Sequence, residues 1–583
     1  MNIMSNLPVS QTLTDILTQW ASQKPTQTAC AFIDDRGHEV RMSYAELVED
    51  AQQIAAAINL AGINPFDRVV LIIEPGLELI KAFFGCLFAN TTAVLVQPPL
   101  NKKLLEKTHR IIHNCEPSLI ITPSKLAHRF EELFESGEYL ATYKPAQIIE
   151  YEALWQKSSK YIPVKTQLDD VALLQYTSGS TNYPKGVMIT HGNLIDNLEK
   201  IKNTFHMHEE SVMFSWLPPY HDMGLMGGIL APIYTGYPTY LTTPFAFLKR
   251  PLLWLKAIST HQVTISGAPN FAYDYCVKKI KDDKKSELDL SSWEVAFNGA
   301  EPVHHHTMQH FYDAFKTCGF RKEAFYPCYG LAESTLLAAS GVVLTPYQSL
   351  NIKKTELQTN RVEIAPNQSP HTYQLVSSGF LHHETLIVNP DTLEPCAADT
   401  IGEIWLRSES IAKGYWNQPE ETKEVFIQTT PETTNELPFL RTGDLGFIHE
   451  HQLYVTGRIK DLIILHGKNH YPQDIEATLK YCSYHELFGL SAAFVKTENN
   501  EYLLSLVCEL AHQRLKHEEL DSLCNHLFGL IYNEHTLEVH EMVFIRRNAM
   551  PQTTSGKVKR KACRMLLAND ELPVLHHWRL DKA

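Results

Sequence analysis

The chain has 583 residues, 44% of them apolar and 20% charged, and carries a net charge of −14 from 52 basic and 66 acidic side chains. That balance argues against a nucleic-acid binder, which needs a basic domain or stripe, and the length allows roughly three to four units at about 150 residues each. Eleven dispersed cysteines without a CxxC pair fit reduced thiols in a cytoplasmic protein better than a disulfide framework or a zinc site.

The first residues, MNIMSNLPVSQTLTDIL, show no basic segment followed by an apolar core, so no signal peptide is expected. Ser43 and Glu46 are spaced as a capping box, with Met42 and Leu47 placed for a hydrophobic staple. The helix they start should stop near Gly62. DRVVLII then reads as a buried strand, PGLELIKAFFGCLFAN as a helix and TAVLVQP as a second strand; a helix over 104–113 leads to a third strand at SLIITP. Glu74, Pro75, Glu78 and Lys81 interrupt this most apolar region, so no integral membrane segment is expected.

Strands alternating with helices of this length indicate βαβ units and a parallel sheet covered on both faces. The alternation is expected to continue to about residue 460. Beyond Asp461 strands at 491–497, 502–510 and 539–545 and helices at 473–481 and 516–530 read as a smaller domain. The expected class is therefore α/β: a large, multi-subdomain N-terminal domain (1–461) with parallel sheets between helices, plus a small α+β C-terminal domain (462–583). A polar stretch at about 341–375 breaks the rhythm and reads as an insertion.

The chemistry begins at QYTSGSTNYPKGV (175–187). Gly179 permits a tight turn whose successive N–H groups can form an anion nest. Thr177, Ser178, Ser180 and Thr181 add hydroxyls, and Lys185 adds a charge. A Walker A loop needs Lys followed by Ser or Thr at a helix start. Here Lys185 precedes Gly186 and a strand-like VMITH, so that reading fails. Alone, the loop could be a mobile turn. It is followed by WLPPYHDMGL (216–225), FNGAEPV (297–303), YPCYGLAEST (326–335), RTGDLG (441–446), YVTGRIKDLIILHGKNHYPQDIE (454–476) and PQTTSGKVKR (551–560).

In that order these motifs resemble the adenylate-forming superfamily of acyl-CoA synthetases, luciferases and peptide-synthetase adenylation domains, over nearly the whole chain. The resemblance implies ATP and Mg²⁺ as cofactors. Activating a carboxylate with ATP means in-line attack on the α-phosphorus, which is catalysed by positioning and charge stabilisation. By resemblance, Glu333 holds Mg²⁺ with help from Thr177; alone, Glu333 would be an acid complementing a helix start. Asp444 and Arg458 take the ribose, where the bland readings are a turn former and a surface ion pair. Gly299, Ala300, Glu301, Tyr329 and Gly330 sandwich the adenine. Lys557 is the catalytic lysine bridging the α-phosphate and the carboxylate, and Asp461 is the hinge that moves it. His221 borders the acyl carboxylate, where amino-acid-activating domains tend to carry Asp, so an amino-acid substrate is disfavoured. The neighbouring LMGGILAPIYTG suits an alkyl tunnel or core packing equally. His304–His306 cannot share one helix face, so a solvated helix start is expected there.

The motif GLAESTL, the insertion ending in VSSGF, the NHYPQDIE run and the terminal LPVLHHW resemble fatty acyl-AMP ligases in particular. Ser378 stands where that family's Cys is expected. This branch implies a fatty acid as substrate and the phosphopantetheine arm of an acyl carrier protein as acceptor. The insertion, about Thr345–Tyr373, would restrict the rotation that opens a CoA channel, unless it is a tolerated surface loop. Lys559, Arg560, Lys561 and Arg564 are candidates for docking an acidic carrier. The alternatives are a long-chain acyl-CoA synthetase and a non-catalytic sensor on the same fold.

Overall fold

A computed structural model describes residues 11–128, 147–156, 160–177, 184–367, 369, 371–426, 437–465, 468–498, 501–511, 515–552 and 557–580. They form two compact units, one of residues 1–347, 378–385 and 405–442, the other of 348–377, 386–404 and 443–583. Residue 461 lies inside the second unit.

In the first unit the local signals act as expected. Ser43 caps the helix Tyr44–Leu60 with both halves of the capping box present, and Met42 and Leu47 are buried beside it. Six strands make one sheet in the order Gln147–Glu150, Leu119–Thr122, Arg68–Leu71, Thr92–Leu95, Val171–Thr177 and Lys185–Thr190. All neighbours are parallel except the last pair. Thr92–Leu95 and Leu119–Thr122 are buried along their whole length, as strands covered on both faces must be. The helix Leu77–Phe88 supplies part of that cover and is itself almost wholly buried. Each Leu, Ile or Phe hidden there contributes about 2 kcal/mol.

A second, larger sheet includes, in this order, Glu39–Ser43, Thr28–Ile33, Thr239–Leu241, Met213–Ser215, Ile265–Ala268, Val295–Asn298, Phe325–Gly330 and Leu337–Ser340. In this run the strands from Thr28–Ile33 to Phe325–Gly330 are parallel, while Glu39–Ser43 pairs antiparallel with Thr28–Ile33, and Leu337–Ser340 pairs antiparallel with Phe325–Gly330. Here the βαβ alternation ends, well before the expected residue 460. Only residues 331–336 join Phe325–Gly330 to Leu337–Ser340, too few for a crossover helix, so the chain must return antiparallel. From there to Arg458 the chain makes mainly antiparallel strand pairs.

The return is tight. A methyl group at Gly330 would lie 1.8 Å from the Leu336 carbonyl oxygen, a backbone atom that cannot swing aside. Gly330→Ala is expected to destabilise the protein by about 3 kcal/mol, read as a lower denaturant midpoint; an unchanged midpoint would show that the turn yields.

The second unit contains a four-stranded sheet in the order Phe488–Glu498, Glu501–Leu510, Val539–Ile545 and Val574–Arg579. The helices Pro472–Tyr481 and His517–His535 share its core: Ile475, Leu479, Leu520, Leu523 and Leu527 pack with Leu504, Leu506, Met542 and Phe544. The insertion is not a loose surface loop. Ser349–Lys353 and Thr372–Val376 pair antiparallel, and Ile352, Leu357, Val362 and Leu375 join Leu445, Phe447, Tyr454 and Tyr471 in one core. Its apolar residues are spaced singly along a polar segment, which hides them from a reading that looks for runs.

Candidate active site

Thr177 ends one strand and Lys185 begins the next, directly opposite in antiparallel register. Ser178, Gly179, Ser180 and Thr181 lie outside the described residues. The Lys185 ammonium sits 2.5 Å from a Glu421 carboxylate oxygen and 4.6 Å from the centre of the Tyr415 ring. The Tyr415 hydroxyl donates to Glu333 Oε1 at 2.8 Å. One tyrosine thus links the cation and the carboxylate that the motifs single out. Burial, reinforced by the adjacent Glu333 carboxylate, pushes the Tyr415 phenol far above its usual range, so it stays a neutral donor. Nothing in the run AKGYWNQ marked Tyr415; its role exists only through what it touches.

Glu333 lies in a single 3₁₀ turn, Ala332–Ser334, and not at the head of an α-helix. The helix-start alternative therefore falls away. The next residue, Thr335, is fully buried with φ of +66°, a strained position for a β-branched residue that clusters at functional sites. Its hydroxyl donates to the Ser410 carbonyl at 2.7 Å. The buried Asn197 amide donates to the carbonyls of Ser334 and Leu337 at 3.3 and 3.0 Å, and its oxygen accepts from the Leu337 amide at 3.0 Å. The Glu333 carbonyl accepts from the Ala412 amide at 3.0 Å. Asn197 and Ser410 fix the turn that aims Glu333, and sequence reading missed both.

The adenine candidates gather at one sheet edge. Val295–Asn298 and Phe325–Gly330 are adjacent and parallel, with Asn298 opposite Pro327, so Gly299–Glu301 and Tyr329–Gly330 leave side by side at the carboxyl ends where α/β sheets bind ligands. Ala300 adopts φ of +64°. Glu301 Oε1 accepts from the Phe271 amide at 2.6 Å, at the start of the helix Asn270–Lys279, so that carboxylate supports a helix.

His221 is held in a loop tied to the same strand as Thr177. Gln175 Nε2 donates to the Tyr220 carbonyl at 2.9 Å, and Gln175 and Thr177 share a strand face by the period of two. The following residues, Met223–Leu230, form a π-helix buried from Gly224 onward, a form frequent at functional sites. Gly228 is needed for packing, since a methyl there would lie 2.6 Å from Ser215 Oγ. The triple histidine is a helix start as expected: His304 is the N-cap of His305–Phe315, and His306 is exposed. Among the described residues no three His, Cys, Asp or Glu side chains are grouped to hold a metal. None of the eleven cysteines is in a disulfide.

The remaining candidates lie in the second unit. Asp444 and Arg458 face each other across two strands, and Arg458 Nε donates to Asp444 Oδ1 at 2.9 Å. Asp444 is buried while the Arg458 side chain is 62% exposed. Such a pair adds little stability, but it presents a carboxylate and a guanidinium together. The hinge candidate Asp461 accepts from Arg560 Nη1 at 3.1 Å, and Arg560 is also bidentate to Glu476 at 2.7 and 2.6 Å. This corrects one expectation. Arg560 is committed to two carboxylates and is not a docking cation, because releasing it would strand both charges. Lys561 and Arg564 are exposed, Lys559 is half-buried, and Lys557 is half-buried at the head of the segment leading into the helix Arg560–Ala568.

The insertion grips residues beyond 461. Lys354 Nζ lies 3.0 Å from Glu534 Oε2, and the Asn469 amide donates to the Gln358 carbonyl at 2.9 Å. Tyr373 lies beside the Asp474 carboxyl, whose Oδ1 is buried without a hydrogen-bond partner. Burial pushes the Asp474 pKa up to about 7 from 3.8. A carboxyl with a raised folded pKa lends stability that is full below about 3.8 and is lost as pH rises through about 7. Asp474 as a whole retains some solvent contact, so the penalty at pH 8 is discounted to about 2 kcal/mol. Asp474→Asn is therefore expected to raise the melting temperature at pH 8 and to make little difference near pH 4. Equal shifts at both pH values would contradict it.

Two family profiles match the chain: AMP-binding enzyme over residues 17–416 and Disco-interacting protein 2-like, AMP domain, over residues 460–577. The chain belongs to the AMP-binding enzyme family. Its relatives there include medium-chain-fatty-acid–[acyl-carrier-protein] ligase JamA of Moorena producens, 37% identical over 96% of this chain and 95% of JamA. The putative fatty-acid–CoA ligase FadD21 of Mycobacterium tuberculosis is 34% identical over 94% of this chain and 96% of its own. Among solved structures, fatty acyl-adenylate ligase from L. pneumophila in complex with acyl adenylate and pyrophosphate matches at 48% identity over 98% of both chains, with a TM-score of 0.74. This AMP-binding enzyme is thus an adenylate-forming ligase of α/β fold, and its family uses ATP. Among the described residues no helix is long and apolar enough to cross a membrane.

Proposed function

We infer that the protein activates a medium- or long-chain fatty acid with ATP and transfers the acyl group to the phosphopantetheine thiol of an acyl carrier protein. The observation that carries the reading is the linkage Thr177–Lys185–Tyr415–Glu333, set in a chain 48% identical to a fatty acyl-adenylate ligase. In the first step a carboxylate oxygen bonds to the α-phosphorus and the bond to pyrophosphate breaks. In the second, the thiol sulfur, giving up its proton to solvent, bonds to the acyl carbon as the bond from that carbon to the phosphate oxygen breaks, and AMP leaves.

Lys185 grips the departing phosphates in exchange for Glu421. Asp444 and Arg458 take the ribose, Gly299–Glu301 and Tyr329–Gly330 enclose the base, and Lys557 balances charge on the α-phosphate and the acyl carboxylate. Glu333 and Thr177 suit Mg²⁺, which takes oxygen ligands and few of them from protein; the ion would neutralise phosphate charge. Asp461 is the hinge that brings Lys557 into and out of the site, and the second family profile, beginning at residue 460, supports a boundary there. Lys559, Lys561 and Arg564 remain the candidates for carrier docking.

JamA's name favours a carrier protein as acceptor, FadD21's favours CoA. The insertion tips the choice, because its grip on Glu534 and Asn469 opposes the rotation a CoA channel requires. The test supplies Mg-ATP and fatty acids of several lengths, then CoA or phosphopantetheinylated carrier in parallel. Acyl-AMP that moves only to the carrier is the expected result, and efficient acyl-CoA formation would overturn it. Because the insertion shares a core, Lys354→Ala combined with Asn469→Ala, which removes the Asn469 Nδ2 donation to Asn360 Oδ1 at 2.9 Å, is a cleaner probe than deletion. The pair is expected to raise CoA thioester formation about tenfold, the effect of loosening a restraint by about 1.4 kcal/mol; no gain would place the discrimination elsewhere.

A further inference from the structure

The short helix Pro244–Lys249 is apolar on two opposite faces. Inward, Ala246 and Phe247 are buried, and the Phe247 ring stacks on Trp216 at 3.8 Å with 9° between planes. Trp216 opens the motif that carries His221. Outward, Phe245 is 71% and Leu248 48% exposed. Among the described residues this is the one helix with two large apolar side chains standing in water, and they are one turn apart, on the same face. Lone exposed hydrophobes are ordinary; a clustered pair on a projecting element marks an interaction surface.

The surroundings say which kind. Lys249 and Arg250 follow directly and are exposed. Tyr275 donates to the Leu248 carbonyl at 2.7 Å, which brings the end of the helix Asn270–Lys279, with exposed Lys278 and Lys279, alongside. Lys249 and Arg250 also reach Asp35, at 3.2 and 2.9 Å, beside exposed Arg36 in the turn between Thr28–Ile33 and Glu39–Ser43. Cations outnumber Asp34 and Asp35 here, in a chain whose net charge is −14. A protruding aromatic and aliphatic pair ringed by Lys and Arg is the arrangement that seats proteins on anionic lipid, the apolar tips entering the headgroup–acyl boundary and the cations meeting phosphates. A protein partner would more commonly offer or require a pocket for such residues.

We propose that this face docks the protein on an anionic phospholipid bilayer, with Phe245 and Leu248 as the inserted residues. Its use would be to collect sparingly soluble fatty acid at the helix whose Phe247 stacks on Trp216, the first residue of the His221 motif; that purpose rests on the fatty-acid reading, while the docking itself does not. The full chain is mixed with extruded vesicles of phosphatidylcholine alone, or of phosphatidylcholine with phosphatidylglycerol, and sedimented. Sedimentation with the anionic vesicles is expected, weakened by added salt, with little on neutral ones. Phe245→Ser combined with Leu248→Ser should lower the vesicle-bound partition about tenfold or more, and Lys278→Glu with Lys279→Glu should lower it on anionic vesicles alone. Adenylate formation from dissolved octanoate should be unchanged in the Phe245/Leu248 variant, which shows that it is folded. An unaltered protein that stays in the supernatant with anionic vesicles overturns the proposal, as does equal sedimentation of the double variant. Vesicle binding without any octanoyl adenylate would instead defeat the proposed reaction and leave the docking intact.

Discussion

Lys557→Ala is expected to abolish acyl-adenylate formation, lowering fatty-acid-dependent ATP–pyrophosphate exchange about 10³-fold, the scale for losing one charge-stabilising group in a closed site. The fold should survive the change. Lys557 is half-buried and outside the apolar cluster that Val558 packs against, which is built from Ala492, Phe494, Val543, Ile545 and Cys563. A melting temperature within about 2 °C of the unaltered protein is expected, as for a substitution outside a core. ATP binding, measured directly, should also persist, since the base, ribose and pyrophosphate are assigned to other residues. Lys557→Arg keeps the charge but not the compact ammonium, and should recover only part of the rate. Exchange that continues at the original rate in Lys557→Ala would remove the residue from the mechanism.

Glu333→Gln is expected to cost about 10² to 10³ in the same exchange rate and to raise the Mg²⁺ concentration needed for half-maximal activity. The glutamine amide oxygen can still accept from Tyr415, so the buried tyrosine is not orphaned and stability should change little. That separates loss of the carboxylate charge from loss of the turn. Tyr415→Phe tests the other side of the bond. It removes the hydroxyl at 2.8 Å from Glu333 but keeps the ring beneath Lys185, so a milder loss of about tenfold is expected, the size of one hydrogen bond to a charged group. An unchanged Mg²⁺ requirement in Glu333→Gln would argue that the metal is held elsewhere.

Local structure was largely legible because its signals are short-range. The capping box at Ser43 and Glu46 sits where the spacing put it, and VHEMVFI forms the strand Val539–Ile545. Alternation misled after residue 330, where a six-residue connection forces an antiparallel return although the apolar pattern looks unchanged. The insertion misled for a related reason: Ile352, Leu357, Val362 and Leu375 are scattered in sequence and become a core only when Leu445, Phe447 and Tyr454 arrive to cover them. Arg560 looked like one of several surface cations, and its pairing with Glu476 and Asp461 depends on residues 84 and 99 positions away.

The sequence by itself determined the chemical parts: seven motifs in one order, the capping residues, and which side chains carry charge or hydroxyl groups. These are properties of residue type and spacing, and no fold is needed to see them. Tertiary structure alone decided how the parts are held. Tyr415, Asn197 and Ser410 acquire a role only because separate strands and turns converge on Glu333, and the same convergence sets Asp444 opposite Arg458. The pKa of Asp474 likewise depends on the burial that Tyr373 and its neighbours impose. Positioning is a long-range property, and the free energy of a buried charge or hydrogen bond depends on what surrounds it, which residue order does not state.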